Sequence, residues 1–147
     1  MNKLLLIQEC IQKLSDEIKK LKDDLDSIEY DMHNETKSSA GDKYEISREM
    51  MQQEREKLMN QINLKQKQKT MFLHMPSKTN TNASLGALVI TQKAIFFISQ
   101  SIGKIQFEDK TIFCLSIQAP ITKMMLNKKV KDAFEWNNNA YTIHQIE

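Results

Sequence analysis

The apolar residues near the start of the chain recur in alternating steps of three and four. They are Leu4, Ile7, Ile11, Leu14, Ile18, Leu21, Leu25, Ile28 and Met32. So narrow a seam is typical of a coiled-coil helix, because two helices of similar length bury such stripes against each other. We therefore predict a first helix that ends near Glu35 and packs against a second one.

The partner helix is predicted to run from about Asp42 to Lys69. A short polar stretch, Thr36–Gly41, favours a turn before it, and Asp42 with Glu45 three residues later is typical of a capping box. The positions that this helix offers to the seam are Tyr44, Met51, Leu58, Ile62 and Phe72. The pattern predicts an antiparallel helical hairpin over residues 1–75, about 45–50 Å long at the rise of an α-helix.

A second domain is predicted after a linker, residues 76–84, that is rich in Ser, Thr and Asn. Pro120 opens a short apolar helix there, and Asn137–Asn139 forms a turn that tolerates positive φ. Short β-branched or aromatic runs indicate strands at residues 85–91, 94–99, 104–107, 111–117, 133–136 and 140–146. We therefore expect an α+β protein with a small antiparallel-sheet domain over residues 85–147.

The charge balance argues against a protein that binds duplex DNA by itself. The 147 residues include 21 Lys and Arg against 19 Asp and Glu, a net charge of +2, without the basic excess of such a protein. The apolar start, Met1–Ile7, is too short for a signal peptide or a membrane span. We therefore expect a cytoplasmic protein that does not associate with membranes.

The cysteines and histidines do not form a recognisable chemical motif. Cys10 and Cys114 lack the spacing of a CxxC pair and are expected to be reduced, packed thiols. The three histidines, His33, His74 and His144, show no metal-ligand spacing. The sequence predicts no metal site of its own.

One segment, residues 115–132, resembles the C-terminal signature of the bacterial Gre transcription factors, GreA and GreB. In that family a strand, a Ser-Pro pair, a short helix and a Gly-Lys-Lys-Val-Gly-Asp turn follow one another. The matching residues are Pro120, Leu126, Lys128, Lys129, Val130 and Asp132. Ala119, Asn127 and Lys131 replace the usual Ser, Gly and Gly. The order of hairpin, linker and sheet extends the resemblance over nearly the whole chain.

The resemblance implies an FKBP-like C-terminal domain that docks at the rim of the RNA polymerase secondary channel. The hairpin would pass down the channel, where two tip acids of the family help to hold the polymerase Mg²⁺ and position water for cleavage of backtracked RNA. A monomer is expected, with no cofactor of its own and with nucleic acid contacted only within the transcription complex. The candidate partner-binding residues are Tyr44, Pro120, Met124, Lys128 and Lys129.

The hairpin tip departs from the family. Helix-start residues that match the family are Tyr44, Arg48 and Glu49. This alignment puts the expected acids on Lys37 and Ala40, whereas a shifted alignment leaves Asp42 and Glu45 as candidate tip acids. A lysine in place of a carboxylate repels Mg²⁺. We therefore expect a regulator of transcription elongation that is not itself an enzyme and stimulates cleavage weakly or not at all.

Two other functions fit parts of the sequence. A coiled-coil adaptor, or a coiled coil that dimerises, would explain the seam but not the motif at residues 120–132. A prolyl isomerase would follow from fold analogy alone, and a fold does not fix a function.

Overall fold

The structure, a computed structural model, describes residues 1–35 and 41–147. It divides into two compact units, one formed by residues 1–12 and 70–147 and the other by residues 13–69. These divisions fall at other places than the predicted domain boundaries, which stay a prediction. No helix in the described part of the chain is both long and apolar enough for a membrane span.

Two long helices form the predicted hairpin. Helix α1 spans Lys3–Glu35 and helix α2 spans Asp42–Leu73. In the unit formed by residues 13–69, Lys65 Nζ lies 2.6 Å from Glu17 Oε2, and Arg55 Nε lies 3.0 Å from Glu29 Oε1. The acidic residue with the higher number in α1 pairs with the basic residue with the lower number in α2, as two antiparallel helices require. The bonds from Lys65 and Lys13 outweigh burial and lower the pKa of Glu17.

The heptad seam is buried in this unit, most deeply at four residues. They are Leu14, Ile18, Leu58 and Ile62. Farther along α1 the seam positions Leu21, Leu25, Ile28 and Met32 are half-buried. The prediction is wrong at Leu4, which is 53% exposed, whereas Leu6 and Cys10 are fully buried in the other unit. There the start of α1 packs in the unit that contains the sheet. The seam residue Ile7 is still buried, so the buried face of α1 is shifted around the helix.

Helix α2 continues beyond the predicted end at Lys69. The ring of Phe72 lies 6.2 Å from the ring of Phe97, measured between centroids, and both side chains are buried. This contact belongs to the unit formed by residues 1–12 and 70–147. Packing against the sheet therefore stabilises an extra helical turn that the polar sequence before it does not indicate.

Six strands form one sheet in the order β3-β4-β2-β1-β6-β5. Their bounds are β1 Leu88–Thr91, β2 Ile95–Ser99, β3 Gly103–Phe107, β4 Lys110–Ser116, β5 Ala133–Trp136 and β6 Asn139–Ile146. Helix α3 spans Pro120–Met125. The α+β class is confirmed, but the sheet is not wholly antiparallel, because β4 pairs with β2 in parallel. The β3–β4 hairpin folds back so that β4, and not β3, lies beside β2.

The sheet buries both faces at its centre. Strand β2 is apolar from Ile95 to Ile98 and buried from Phe96 to Ser99, as in a central strand, whereas the edge strand β3 has both exposed and buried residues. Its neighbour β4 places Cys114 beside Phe97 in the register. The main core cluster consists of Ala83, Ala87, Val89, Phe96, Ile98, Met125, Phe134, Ile143 and Ile146.

Both two-residue hairpin turns use residues with positive φ. Asn137 and Asn138 have φ of 50° and 60°, and Glu108 and Asp109 have φ of 49° and 61°. Two successive residues of this conformation match the right-handed twist of the strands that they join. The predicted Asn-rich turn is confirmed.

The predicted linker is part of the unit formed by residues 1–12 and 70–147, which we call the sheet unit. Ala83 is fully buried, and its N–H donates to the carbonyl oxygen of Lys128 at 2.8 Å. Lys3 Nζ donates to the carbonyl oxygen of Lys78 at 2.6 Å and to Asn80 Oδ1 at 3.0 Å. Burial of that amine, opposed by the charge of Glu147, lowers the pKa of Lys3. These bonds fix the segment in place.

Candidate partner-binding surfaces

Helix α3 separates its two methionines between core and solvent. Pro120 occupies the first turn, where a missing N–H costs no hydrogen bond. Met125 and Thr122 are fully buried, whereas Met124 is 46% exposed. Of the two methionines, only Met124 can therefore offer its thioether to a partner.

The turn after α3 is held by reciprocal hydrogen bonds. Lys129 N–H donates to Asp132 Oδ2 at 2.8 Å, and Asp132 N–H donates to the carbonyl oxygen of Lys129 at 3.0 Å. Lys131 N–H donates to Ile143 at 2.8 Å, and Ile143 N–H donates to Asp132 at 2.9 Å, in both cases to the carbonyl oxygen. Residues 127–132 are thus tied both to themselves and to strand β6.

Two residues of this turn adopt left-handed backbone. Asn127 has a φ of 64° and Lys131 a φ of 77°. These are the two positions at which the Gre signature carries glycine. Asparagine adopts this conformation readily, while a residue with a long side chain is strained there. The two residues that stand in place of the glycines of the signature therefore both adopt a backbone conformation that favours glycine.

We expect Lys131→Gly to stabilise the protein by about 0.5–1 kcal/mol. Relief of the left-handed strain contributes about 1–2 kcal/mol, and the greater freedom of glycine in the unfolded chain offsets part of it. Thermal unfolding should show a melting temperature higher by about 2–4 °C. Asn127→Gly is the matched control and should change stability by only a few tenths of a kcal/mol. Equal effects at both positions would contradict this explanation.

The corner formed by α3 and its turn carries an exposed basic and apolar surface. Pro120 and Lys129 are exposed and Lys128 is half-buried. Val130, like Met124, leaves more than two-fifths of its surface to solvent. Two further lysines, Lys123 and Lys131, are exposed on the same segment. We call residues 120–131 the α3 corner. Its chemistry suits a partner surface that combines acidic and apolar groups.

The start of α2 is ordered around Gly41. Its carbonyl oxygen accepts from the N–H groups of Tyr44 at 3.1 Å and Glu45 at 3.3 Å. Tyr44 is half-buried, and its hydroxyl oxygen accepts from Arg48 Nη1 at 3.1 Å. Glu45 is exposed.

Parts of the predicted tip lie outside the described residues. These are Lys37 and Ala40, together with the side chain of Asp42. In the described part of the chain, no group of three or more His, Cys, Asp or Glu side chains could hold a metal ion. Whether Asp42 and Glu45 converge on a metal stays a prediction.

No protein-family model and no curated protein matches the chain. Among solved structures, the chain is similar to the GreA factor homolog 1 (Gfh1) protein of Thermus thermophilus. The sequences are 13% identical, the match covers 93% of this chain and 94% of the other, and the TM-score is 0.36. The chain is also similar to a structure of the transcription factor Gfh1, with 14% sequence identity and a TM-score of 0.37. That match covers 94% of this chain and 93% of the other. By its name, the first of these proteins is a homolog of the GreA factor.

The structure brings together residues that sequence reasoning kept apart. Lys123 in α3 and Lys131 in the turn after it are exposed on the same segment as the predicted Lys128 and Lys129, and their closeness in the sequence could have indicated this. Cys10 and Cys114 lie with their sulfur atoms 3.9 Å apart. No local signal indicates that contact, since it depends on where α1 meets the sheet.

Proposed function

We propose that this protein is a Gre-like transcription factor that binds bacterial RNA polymerase at the secondary channel and modulates elongation. The supporting observation is the turn at residues 127–132. Asn127 and Lys131 have positive φ at the two glycine positions of the Gre signature, and Asp132 closes the turn through Lys129 N–H. Left-handed backbone at both positions, strained at Lys131 and readily adopted by Asn127, supports an equivalence of the two turns.

The α3 corner is the proposed docking surface. Its exposed lysines would meet acidic groups of the polymerase rim, and Met124 and Pro120 would add apolar contact. Charges around an apolar contact mainly guide association and orientation, while buried apolar groups slow dissociation. The proposed partner surface is therefore acidic with an apolar centre.

The proposed activity is regulation without strong stimulation of cleavage. In the alignment on Tyr44, Arg48 and Glu49, the family's two tip acids fall on Lys37 and Ala40, and a positive side chain at such a position opposes binding of Mg²⁺. The polymerase would supply the active site and its own Mg²⁺. The protein itself would act in the cytoplasm as a monomer and would meet nucleic acid only inside the transcription complex.

An interaction adaptor is the second candidate. It is favoured by large apolar residues that remain exposed on α2, namely Ile46, Met50 and Leu64. Ile46 and Met50 are one helical turn apart, and neighbouring exposed apolar residues can form a contact surface for another protein. The adaptor function would not require polymerase.

Binding to purified bacterial core RNA polymerase, with GreA as a competitor, tests the proposal. We expect saturable binding that GreA displaces. Lys129→Glu should weaken binding roughly tenfold, since it opposes an acidic partner surface. Lys110→Glu makes the same charge change at an exposed position in β4 and should leave affinity within about twofold.

Absence of binding to active polymerase would overturn the proposal and favour the adaptor. Equal losses of affinity in Lys129→Glu and Lys110→Glu would mean that only the overall charge matters. The α3 corner would then not be the docking surface. In a backtracked complex we expect little RNA shortening beyond that of polymerase alone. Strong shortening that is lost on changing both Asp42 and Glu45 to alanine would instead identify those two residues as tip acids.

A further inference from the structure

The two cysteines of the chain form a buried contact. Their sulfur atoms lie 3.9 Å apart, and both side chains are almost completely excluded from solvent. Cys10 is on the first turns of α1 and Cys114 is in β4. Both belong to the unit formed by residues 1–12 and 70–147.

The surrounding backbone holds both cysteines firmly. Strand β4 lies between two others in the sheet, and Cys114 is paired with Phe97 on one side and Gly103 on the other. On α1, Leu6 precedes Cys10 by one helical turn and is equally buried. Neither side chain is at a chain end or in a loop that would make the contact accidental.

The chemistry of the pair excludes two common uses of cysteine. A metal centre needs further ligands, and the described residues contain no group of three His, Cys, Asp or Glu side chains. A nucleophile needs a stabilised thiolate, whereas the hydrogen bond with Cys114 and burial both raise the pKa of Cys10. The remaining reaction of two adjacent thiols is oxidation to a disulfide.

We propose that Cys10 and Cys114 are a redox-sensitive pair that closes to an intramolecular disulfide and fastens the start of α1 to strand β4. A disulfide sulfur–sulfur bond is about 2.05 Å long, so the two sulfur atoms must approach by roughly 2 Å. Rotation of the two side chains with a small shift of α1 supplies a movement of that size.

The oxidant is a low-molecular-weight disulfide. One cysteine thiolate attacks it, forms a mixed disulfide and releases one small thiolate. The second cysteine thiolate then attacks the protein sulfur of the mixed disulfide and releases the other. Two cysteine thiols lose their protons to the released thiolates and are oxidised, and one small disulfide is reduced to two thiols. Because both thiols are buried and the pKa of the Cys10 thiol is raised by its hydrogen bond with Cys114 and by burial, the reaction is slow and proceeds when the start of α1 opens.

The bond would link residues that are far apart in the chain. A cross-link that closes so long a loop restricts the unfolded chain strongly and stabilises the native state. The melting temperature of the oxidised protein should rise by roughly 5–10 °C for a chain of this size.

To test the proposal, the folded chain is incubated with oxidised glutathione, the reaction is quenched with acid, and the intact mass of the protein is measured. We expect a monomer lighter by two hydrogens, with no titratable thiol after unfolding and a cross-linked peptide that contains both cysteines. Cys10→Ala and Cys114→Ala are the matched controls. Each should retain a thiol or carry one glutathione, and neither should gain thermal stability on oxidation.

Two results would overturn the proposal. The first is a wild-type chain that keeps both thiols while folded, although the same chain forms the bond in urea. The second is a disulfide that forms in the folded chain but lowers the melting temperature, which would show that the bond distorts the unit. The wild-type measurement alone decides between these outcomes, so it does not depend on whether the alanine variants fold.

Discussion

Leu14→Asp is expected to destabilise the hairpin by at least about 4 kcal/mol. Leu14 is completely buried in the seam of the unit formed by residues 13–69. Removing a buried leucine side chain costs about 2–5 kcal/mol, and an unpaired carboxylate in its place adds several kcal/mol of desolvation. That sum approaches the whole stability of many domains. Far-UV circular dichroism should show a large loss of helix at a temperature where the wild-type chain is folded.

Leu4→Asp is the matched control, because Leu4 occupies an equivalent position in the heptad pattern. The structure leaves more than half of the Leu4 side chain exposed, so the same substitution should change stability by no more than about 0.5 kcal/mol. The heptad pattern alone predicts two similar losses. Intact helicity in Leu14→Asp would mean that the seam is misassigned, and a severe loss in Leu4→Asp would contradict the packing at the start of α1.

The contrast between Leu4 and Leu14 shows how far periodicity predicts this fold. A heptad pattern reports that a stripe is buried but does not report what buries it. From Leu14 onward the partner is a helix, and the prediction is confirmed. At the first turns of α1 the seam residue Ile7 is still buried, but Leu6 and Cys10 are buried in addition and Leu4 is not, because that part of α1 packs in the unit that contains the sheet.

Strand positions were predictable because their signals are local, whereas their pairing was not. The sequence indicates all six strands and the short helix at Pro120. The parallel pairing of β2 with β4 depends on where β4 enters the sheet. The residues next to β2 in the sequence do not indicate that position. The contact between Cys10 and Cys114 was not predictable for the same reason, because it joins residues that are far apart in the sequence.

The residues of the candidate site were likewise predictable from the sequence only in part. Resemblance to the Gre signature indicated Pro120, Lys128 and Lys129, and it also drew attention to Asn127 and Lys131 as replacements for glycine. Both residues have positive φ, the backbone conformation that favours glycine. The exposure of Met124 opposite the burial of Met125 required the structure, since both lie on a short helix with an apolar sequence.

Phe72→Ala is expected to destabilise the sheet unit by about 3–5 kcal/mol. Phe72 is 1% exposed and Phe97 is fully buried, and their rings lie in contact at a centroid distance of 6.2 Å. Truncation of a large buried aromatic residue loses its transfer free energy and leaves a cavity that a packed sheet cannot close. The extra turn at the end of α2 depends on this contact, so it should unwind in the variant.

Leu73→Ala provides the comparison, since Leu73 is the next residue on the same turn but is 60% exposed. It should change stability by no more than about 0.5 kcal/mol. Urea unfolding followed by near-UV circular dichroism reports the packing of the aromatic residues, and hydrogen exchange of the amides at residues 70–73 reports the helix end. Similar small effects in both variants would mean that the end of α2 does not pack against β2. A large loss in Phe72→Ala with early exchange at residues 70–73 would establish that the sheet, and not the coiled-coil seam, determines where α2 ends.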